Sequence, residues 1–155
     1  MSCPETFDEA QRNVYERAEG GDAEAMFLLA SFYHNGDNVP VSESEAFAWC
    51  RKAAEAGSVN AMNNLGSLYG SGTGVKQSFE EAVRWFAKAA DLGMADAQYN
   101  LAVMYNRGLG VEQDSVKGAE LLCKAAQQGH EPAMDELARM YHSVQERNPV
   151  FDNGR

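Results

Sequence analysis

Three histidines, His34, His130 and His142, and three cysteines, Cys3, Cys50 and Cys123, have the strongest claim to metal or nucleophilic chemistry in this chain of 155 residues. A zinc site needs such residues in groups, as His at i and i+4 or as closely paired Cys. No histidine here has a second histidine one turn away or a cysteine beside it. His34 and His142 occupy equivalent places in a repeated pattern, too far apart to share one ion. No metal and no cofactor is expected. Cys50 and Cys123 stand among apolar neighbours and are expected to be buried small hydrophobes, with Cys3 a mobile terminal thiol. Gly72-Thr73-Gly74 and Gly108-Leu109-Gly110 have the outline of a phosphate loop, but no strand precedes them and no Lys-Ser/Thr follows. S-x-x-K and G-x-S-x-G are both absent, and no pair among the 23 acidic residues is marked out as buried. No catalytic residue is expected.

What the chain does contain is a pattern. Gly21, Gly57, Gly93 and Gly129 stand 36 residues apart, and the same interval separates Ala25, Ala61, Ala97 and Ala133; Leu29, Leu65, Leu101 and Leu137; and Tyr33, Tyr69, Tyr105 and Tyr141. A second set of columns follows it: Gly36, Gly72 and Gly108; Trp49, Trp85 and Leu121; Lys52, Lys88 and Lys124. Self-similarity at a fixed period marks an array whose units bury their apolar faces only against one another. Within a unit the apolar spacing is helical: Ala61, Leu65, Leu68 and Tyr69 form one stripe, and Ala82, Trp85, Phe86, Ala89 and Ala90 another. At repeat spacing the Tyr and Trp columns are core rather than a ligand cage.

The punctuation places the helices. Ser42 with Glu45, and Ser78 with Glu81, have capping-box spacing, and Asp114 can cap the third copy, so the second (B) helix of each unit starts near 43, 79 and 115. Gly57, Gly93 and Gly129 end those helices, and Asp22 or Ser58 just beyond can cap the next first (A) helix. The A-to-B turn is Gly-x-Gly-Val in copies two and three but Gly36-Asp37-Asn38-Val39 in copy one. Asn tolerates positive φ next best after Gly, so that position is expected to be left-handed.

Charge limits the partners. Thirteen Lys and Arg against 23 Asp and Glu leave −10, which repels phosphate backbones and anionic lipids, so nucleic acid and membrane are not expected and a basic protein segment is. The start, "MSCPETFDEAQR", shows no charged-then-apolar leader, no stretch is long enough to span a membrane, and the odd cysteine count implies no disulfide framework. The expectation is a cytoplasmic monomer.

The motif A-x-x-x-L-[GA]-x-x-Y-x-x-G-x-[GN]-V followed by K-A-A-x-x-G, here Ala61 to Val75 and Lys88 to Gly93 with its flanking copies, resembles the Sel-1-like repeat, a relative of the tetratricopeptide repeat. A tetratricopeptide array would run at 34 residues. The resemblance implies an all-α fold: a right-handed superhelix, or solenoid, of antiparallel helix pairs with the A helices lining the concave face. The expected organisation is one domain: an N-terminal capping helix in 1–20, repeats at 21–56, 57–92 and 93–128, a partial repeat at 129–143, and a tail at 144–155.

By the same analogy the groove-facing residues are Glu24, Phe27, Leu28, Ser31 and Asn35; Asn60, Asn63, Asn64 and Ser67; Asp96, Tyr99, Asn100, Val103 and Arg107; and Asp135, Glu136 and Arg139. In relatives, groove asparagines hold the backbone of an extended ligand, and Asn64 and Asn100 are spaced for such a ladder; the alternative is that each bonds a neighbouring loop. The implied function is a non-catalytic interaction module, an adaptor or scaffold binding a peptide or protein in the groove. A second possibility is an inhibitor or immunity-type protein that blocks a toxin or enzyme. A third is the β-lactamase-like activity described for disulfide-rich relatives, whose paired cysteines this chain lacks.

Overall fold

The computed structural model describes residues 2–147. Within them the chain forms eight helices and no strand: α1 Glu9–Glu19, α2 Ala23–Asn35, α3 Glu43–Glu55, α4 Val59–Ser71, α5 Phe79–Asp91, α6 Ala95–Arg107, α7 Ser115–Gln127 and α8 Glu131–Arg147. The B helices α3, α5 and α7 begin at 43, 79 and 115, as the caps require. Ser42 Oγ accepts from the Glu45 N–H at 3.3 Å, Ser78 Oγ from Glu81 at 3.2 Å, and an Asp114 carboxylate oxygen from Lys117 at 3.0 Å. The reciprocal half of the capping box differs from expectation. The Ser42 and Ser78 N–H groups are already spent on the Tyr33 and Tyr69 carbonyls, both at 2.9 Å, so the Glu81 carboxylate takes the Arg84 guanidinium at 2.7 Å, while Glu45 Oε2 is buried with no hydrogen-bond partner. The complete box forms at α1, where Asp8 and Gln11 exchange both bonds.

Each helix packs chiefly on the helices before and after it in the chain, so A and B helices alternate in two layers of a solenoid. The columns that repeat in sequence fill the space between layers. Leu29 and Leu65 are fully buried and Leu101 nearly so, each burial worth about 1.5–3 kcal/mol. Ala30, Gly66 and Ala102 mark close approach: a Cβ on Gly66 would stand 2.7 Å from the Phe86 ring. The Lys column has its own reason, since Lys52 and Lys88 lie one turn from Trp49 and Trp85 and seat their ammonium groups 4.0 and 4.1 Å from those rings. Where Leu121 replaces Trp, Lys117 takes the Tyr105 ring instead, at 4.8 Å.

The A-to-B turns lock successive units together. Gly74 and Gly110 have φ of +71° and +67°, and Asn38 in the first copy has +59°, as its position predicts. Each turn presses on the start of the preceding B helix: a Cβ on Gly74 would lie 2.1 Å from the Glu43 carbonyl oxygen, and one on Gly110 2.3 Å from the Phe79 carbonyl carbon. In the first copy α1 stands where a B helix would, and the contact is made by side chains. Gln11 Nε2 donates to the Asp37 carbonyl at 3.1 Å, Asn38 Nδ2 donates to Gln11 Oε1 at 2.7 Å, and the Thr6 hydroxyl donates to the Asn38 carbonyl. Asn thus supplies both the left-handed backbone and a hydrogen bond that glycine lacks.

Four expectations change. Tyr141, placed in the core with its column, is 62% exposed because no further layer among the described residues covers it. Cys123 is exposed, since in the 36-residue register it aligns with Arg51 and Ala87 and not with Cys50. Cys3 is half-buried and packs against the first core cluster around Phe7 and Trp49, so it is not a mobile thiol. Helix α8 runs to Arg147, past the expected end at 143; the remainder of the expected tail, 148–155, lies outside the described residues.

Candidate functional site

The expected groove residues all lie on the A helices. Helix α2 carries Glu24, Phe27, Leu28 and Ser31; α4 carries Asn60, Asn63, Asn64 and Ser67; α6 carries Asp96, Tyr99, Asn100, Val103 and Arg107; and α8 carries Arg139. Glu24, Leu28, Asn60, Asn64, Ser67, Asp96, Arg107 and Arg139 are exposed, whereas Phe27, Ser31, Asn63, Tyr99, Asn100 and Val103 are half-buried. Phe27 also packs against the first core cluster and Tyr99 against the last, so both have structural work beside any binding role.

Many of these groups are already engaged. Asn100 Nδ2 donates to Asn63 Oδ1 at 3.0 Å, joining α6 to α4, so half of the expected ladder is a bond between helices and not to a loop. Ser31 and Ser67 return their hydroxyls to the carbonyls of Phe27 and Asn63, one turn back in their own helices. The acids brace the caps of the following A helix. Ser58, N-cap of α4, donates its hydroxyl to Glu24 at 2.8 Å while accepting from the Ala61 N–H. His130 stands at the equivalent place before α8: Nδ1 accepts from the Ala133 N–H at 3.2 Å, which leaves the Nε2 proton to meet Asp96 at 3.0 Å. The same ring lies against Tyr99, centroids 5.0 Å apart.

Asn64 stays exposed, with the buried Cys50 thiol behind it. Burial pushes that thiol up to about 12, a hydrogen bond with Asn64 opposing. A thiol so held is protonated at neutral pH and is no nucleophile. Burial likewise raises the phenols of Tyr15 and Tyr33, with Glu19 and Glu45 adding repulsion. Among the described residues no three His, Cys, Asp or Glu side chains gather to hold a metal ion, and no helix is long and apolar enough to cross a membrane.

Two hollows open between successive A helices. One, of about 140 Å³, lies between α2 and α4 and is lined by Ser31, His34, Asn35 and Asn64 above Ala46 and Leu68. The other, of about 160 Å³, lies between α6 and α8 and is lined by Val103, Asn106, Arg107, Glu136 and Arg139 beside Tyr99 and Leu122. Each suits one side chain and is smaller than the roughly 300 Å³ a drug-sized ligand occupies. His34 and Asn106 were not among the expected groove residues, although their shared register, 72 residues or two repeats apart, is visible in the sequence.

The Sel1 repeat model matches residues 23–58, 59–94 and 95–130. Among solved structures, a Sel1 repeat protein from Oxalobacter formigenes shares 36% identity over 85% of this chain and 99% of its own, with a TM-score of 0.79. A protective antigen of uropathogenic Escherichia coli strains with an SLR fold shares 37% identity over 84% of this chain, with a TM-score of 0.82. This chain spans only 28% of that antigen's length. The cysteine-rich protein B of Helicobacter pylori, 24% identical over 81% of this chain and 95% of its own with a TM-score of 0.62, shares the fold. No curated protein matches the sequence at a significant level.

Proposed function

The chain belongs to the Sel1 repeat family, whose members mediate protein–protein interaction, and on that premise we propose that it is a non-catalytic adaptor or scaffold that takes a peptide or protein segment into its concave groove. The observation that carries this reading is the convergence of four A helices that set exposed amides, arginines and partly exposed aromatic groups around two side-chain-sized hollows. Amides both donate and accept, which suits a peptide backbone, and the half-buried rings suit its side chains. The net charge of −10 favours a partner segment that is basic overall and raises its rate of capture. Cys3, Cys50 and Cys123 are all free thiols, which suits a reducing compartment.

The test is affinity capture from the native host's lysate with wild type and with a variant carrying Asn64→Ala, Tyr99→Ala and Arg107→Ala. Phe27, packed against the first core cluster, is left intact, and because Tyr99 packs against the last one the melting of the variant is checked alongside. A partner held by wild type and lost by a variant that melts normally supports the groove; equal capture by both moves the site elsewhere.

A further inference from the structure

The two hollows are one feature repeated. Adding 72 residues to Ser31, His34, Asn35 and Asn64 gives Val103, Asn106, Arg107 and Glu136, which line the second hollow in the same four columns. Position is conserved between them while chemistry is not. The first presents a hydroxyl, an imidazole and two amides. The second presents two guanidinium groups and one carboxylate, a local excess of positive charge in a chain of net charge −10. Glu136 leans on Arg139 at 3.4 Å, and among the described residues Arg107 has no ion-pair partner. Asn106 lines the hollow too, but its Oδ1 is buried against Gly118 of α7, where an added Cβ would stand 1.9 Å from it, and is closed to a ligand. Tyr99, Val103 and Leu122 give the site an apolar side.

Building on the groove reading above, we infer that the hollow between α6 and α8 seats an aspartate or glutamate side chain of the bound segment, while the hollow between α2 and α4 seats a small hydroxyl or amide side chain. Arg107 and Arg139 hold the carboxylate, and the apolar wall holds its stem. Neighbouring helix axes lie about 8–10 Å apart, so two repeats separate the hollows by roughly 16–20 Å. An extended chain advances about 3.3 Å per residue, which places the two anchors about five or six residues apart. The partner segment is therefore basic overall but carries one acidic residue at a fixed distance from a Ser, Thr, Asn or Gln.

The probe is a set of fluorescent peptides on an alanine–lysine background, acetylated and amidated so that no terminal carboxylate competes, with one serine and one aspartate stepped through every separation. Against the full chain, affinity is expected to peak at a separation of about five or six residues and to fall about tenfold or more when the aspartate becomes asparagine. Arg107→Gln and Arg139→Gln, both at exposed positions, are expected to weaken the best peptide with unchanged melting. Arg107→Glu is expected to prefer lysine in the aspartate's place. Binding that depends on Asn64 and Tyr99 but ignores the acid or its spacing overturns this inference and leaves the groove standing. Absence of binding by every peptide overturns it too, while the captured partner continues to test the groove independently. A free-acid peptide that binds as well without its aspartate would assign the arginines to a chain terminus and likewise overturn it.

Discussion

The two ends of the solenoid are finished differently. At the N-terminal end α1 covers the first repeat, Phe7 is 1% exposed, and an edge-to-face series runs from Phe32 through Phe7 and Tyr15 to Trp49. The first A-to-B turn rests on Thr6 and Gln11. At the C-terminal end, Ser115, Val116, Ala119, Glu120, Cys123 and Lys124 line an open depression on α7, at the place where internal repeats receive the next turn. Met134, Tyr141 and Val144 stand more than half exposed on α8. The residues of a repeat thus encode half of a contact, and among the described residues a capping element supplies the missing half at the N-terminal end only.

Substitutions at matched positions sharpen the contrast, beginning with the most disruptive. Leu29→Asp places a carboxylate in a fully buried site and is expected to abolish cooperative unfolding by circular dichroism, whereas Tyr141→Asp at the far end leaves the transition in place. Phe7→Ala should cost about 3–5 kcal/mol in chemical denaturation. Within the Leu column, Leu137→Ala, half-buried, should cost no more than about 1–2 kcal/mol, below the loss from Leu29→Ala. At the turns, Gly110→Ala is expected to destabilise by about 1–3 kcal/mol or more because the backbone is left-handed and the Cβ meets Phe79, while Asn38→Gly, where side chains make the contact, should lose about 1 kcal/mol. Thiol labelling gives the mildest readout. Cys123 should react promptly and Cys50 only on unfolding, because burial keeps the Cys50 thiol protonated and out of reach in the folded chain. Equal labelling of the two would undo the distinction between buried and open layers.

Much of this was legible in the sequence because each repeat votes on the same question. Glycines and caps set every helix start of α3, α5 and α7, and the lone Asn38 betrayed a left-handed turn. The failures arose where the repeat context ends or where side chains choose among partners. Tyr141 obeys its column in spacing but has no following layer among the described residues to bury it, and Cys123 looked buried only until its register was compared with Arg51. Glu81 met Arg84 in place of its cap because the Ser78 N–H it would have received donates to the Tyr69 carbonyl, a contact between helices that spacing does not show. In the groove, the helices that carry the residues were readable, but the Asn100–Asn63 bond and the orphaned Asn106 oxygen depend on rotamers.

The most direct measurement is NMR titration of the captured partner into isotopically labelled full-length chain, following the side-chain amides of Asn64, Asn100 and Asn106 with the backbone signals. Shifts confined to these amides and the A-helix faces of α2, α4, α6 and α8 are expected if the groove is the binding site. Shifts confined to the outer B-helix residues Arg51, Glu55 and Arg84, or to Val116 and Cys123 at the open end, would contradict it.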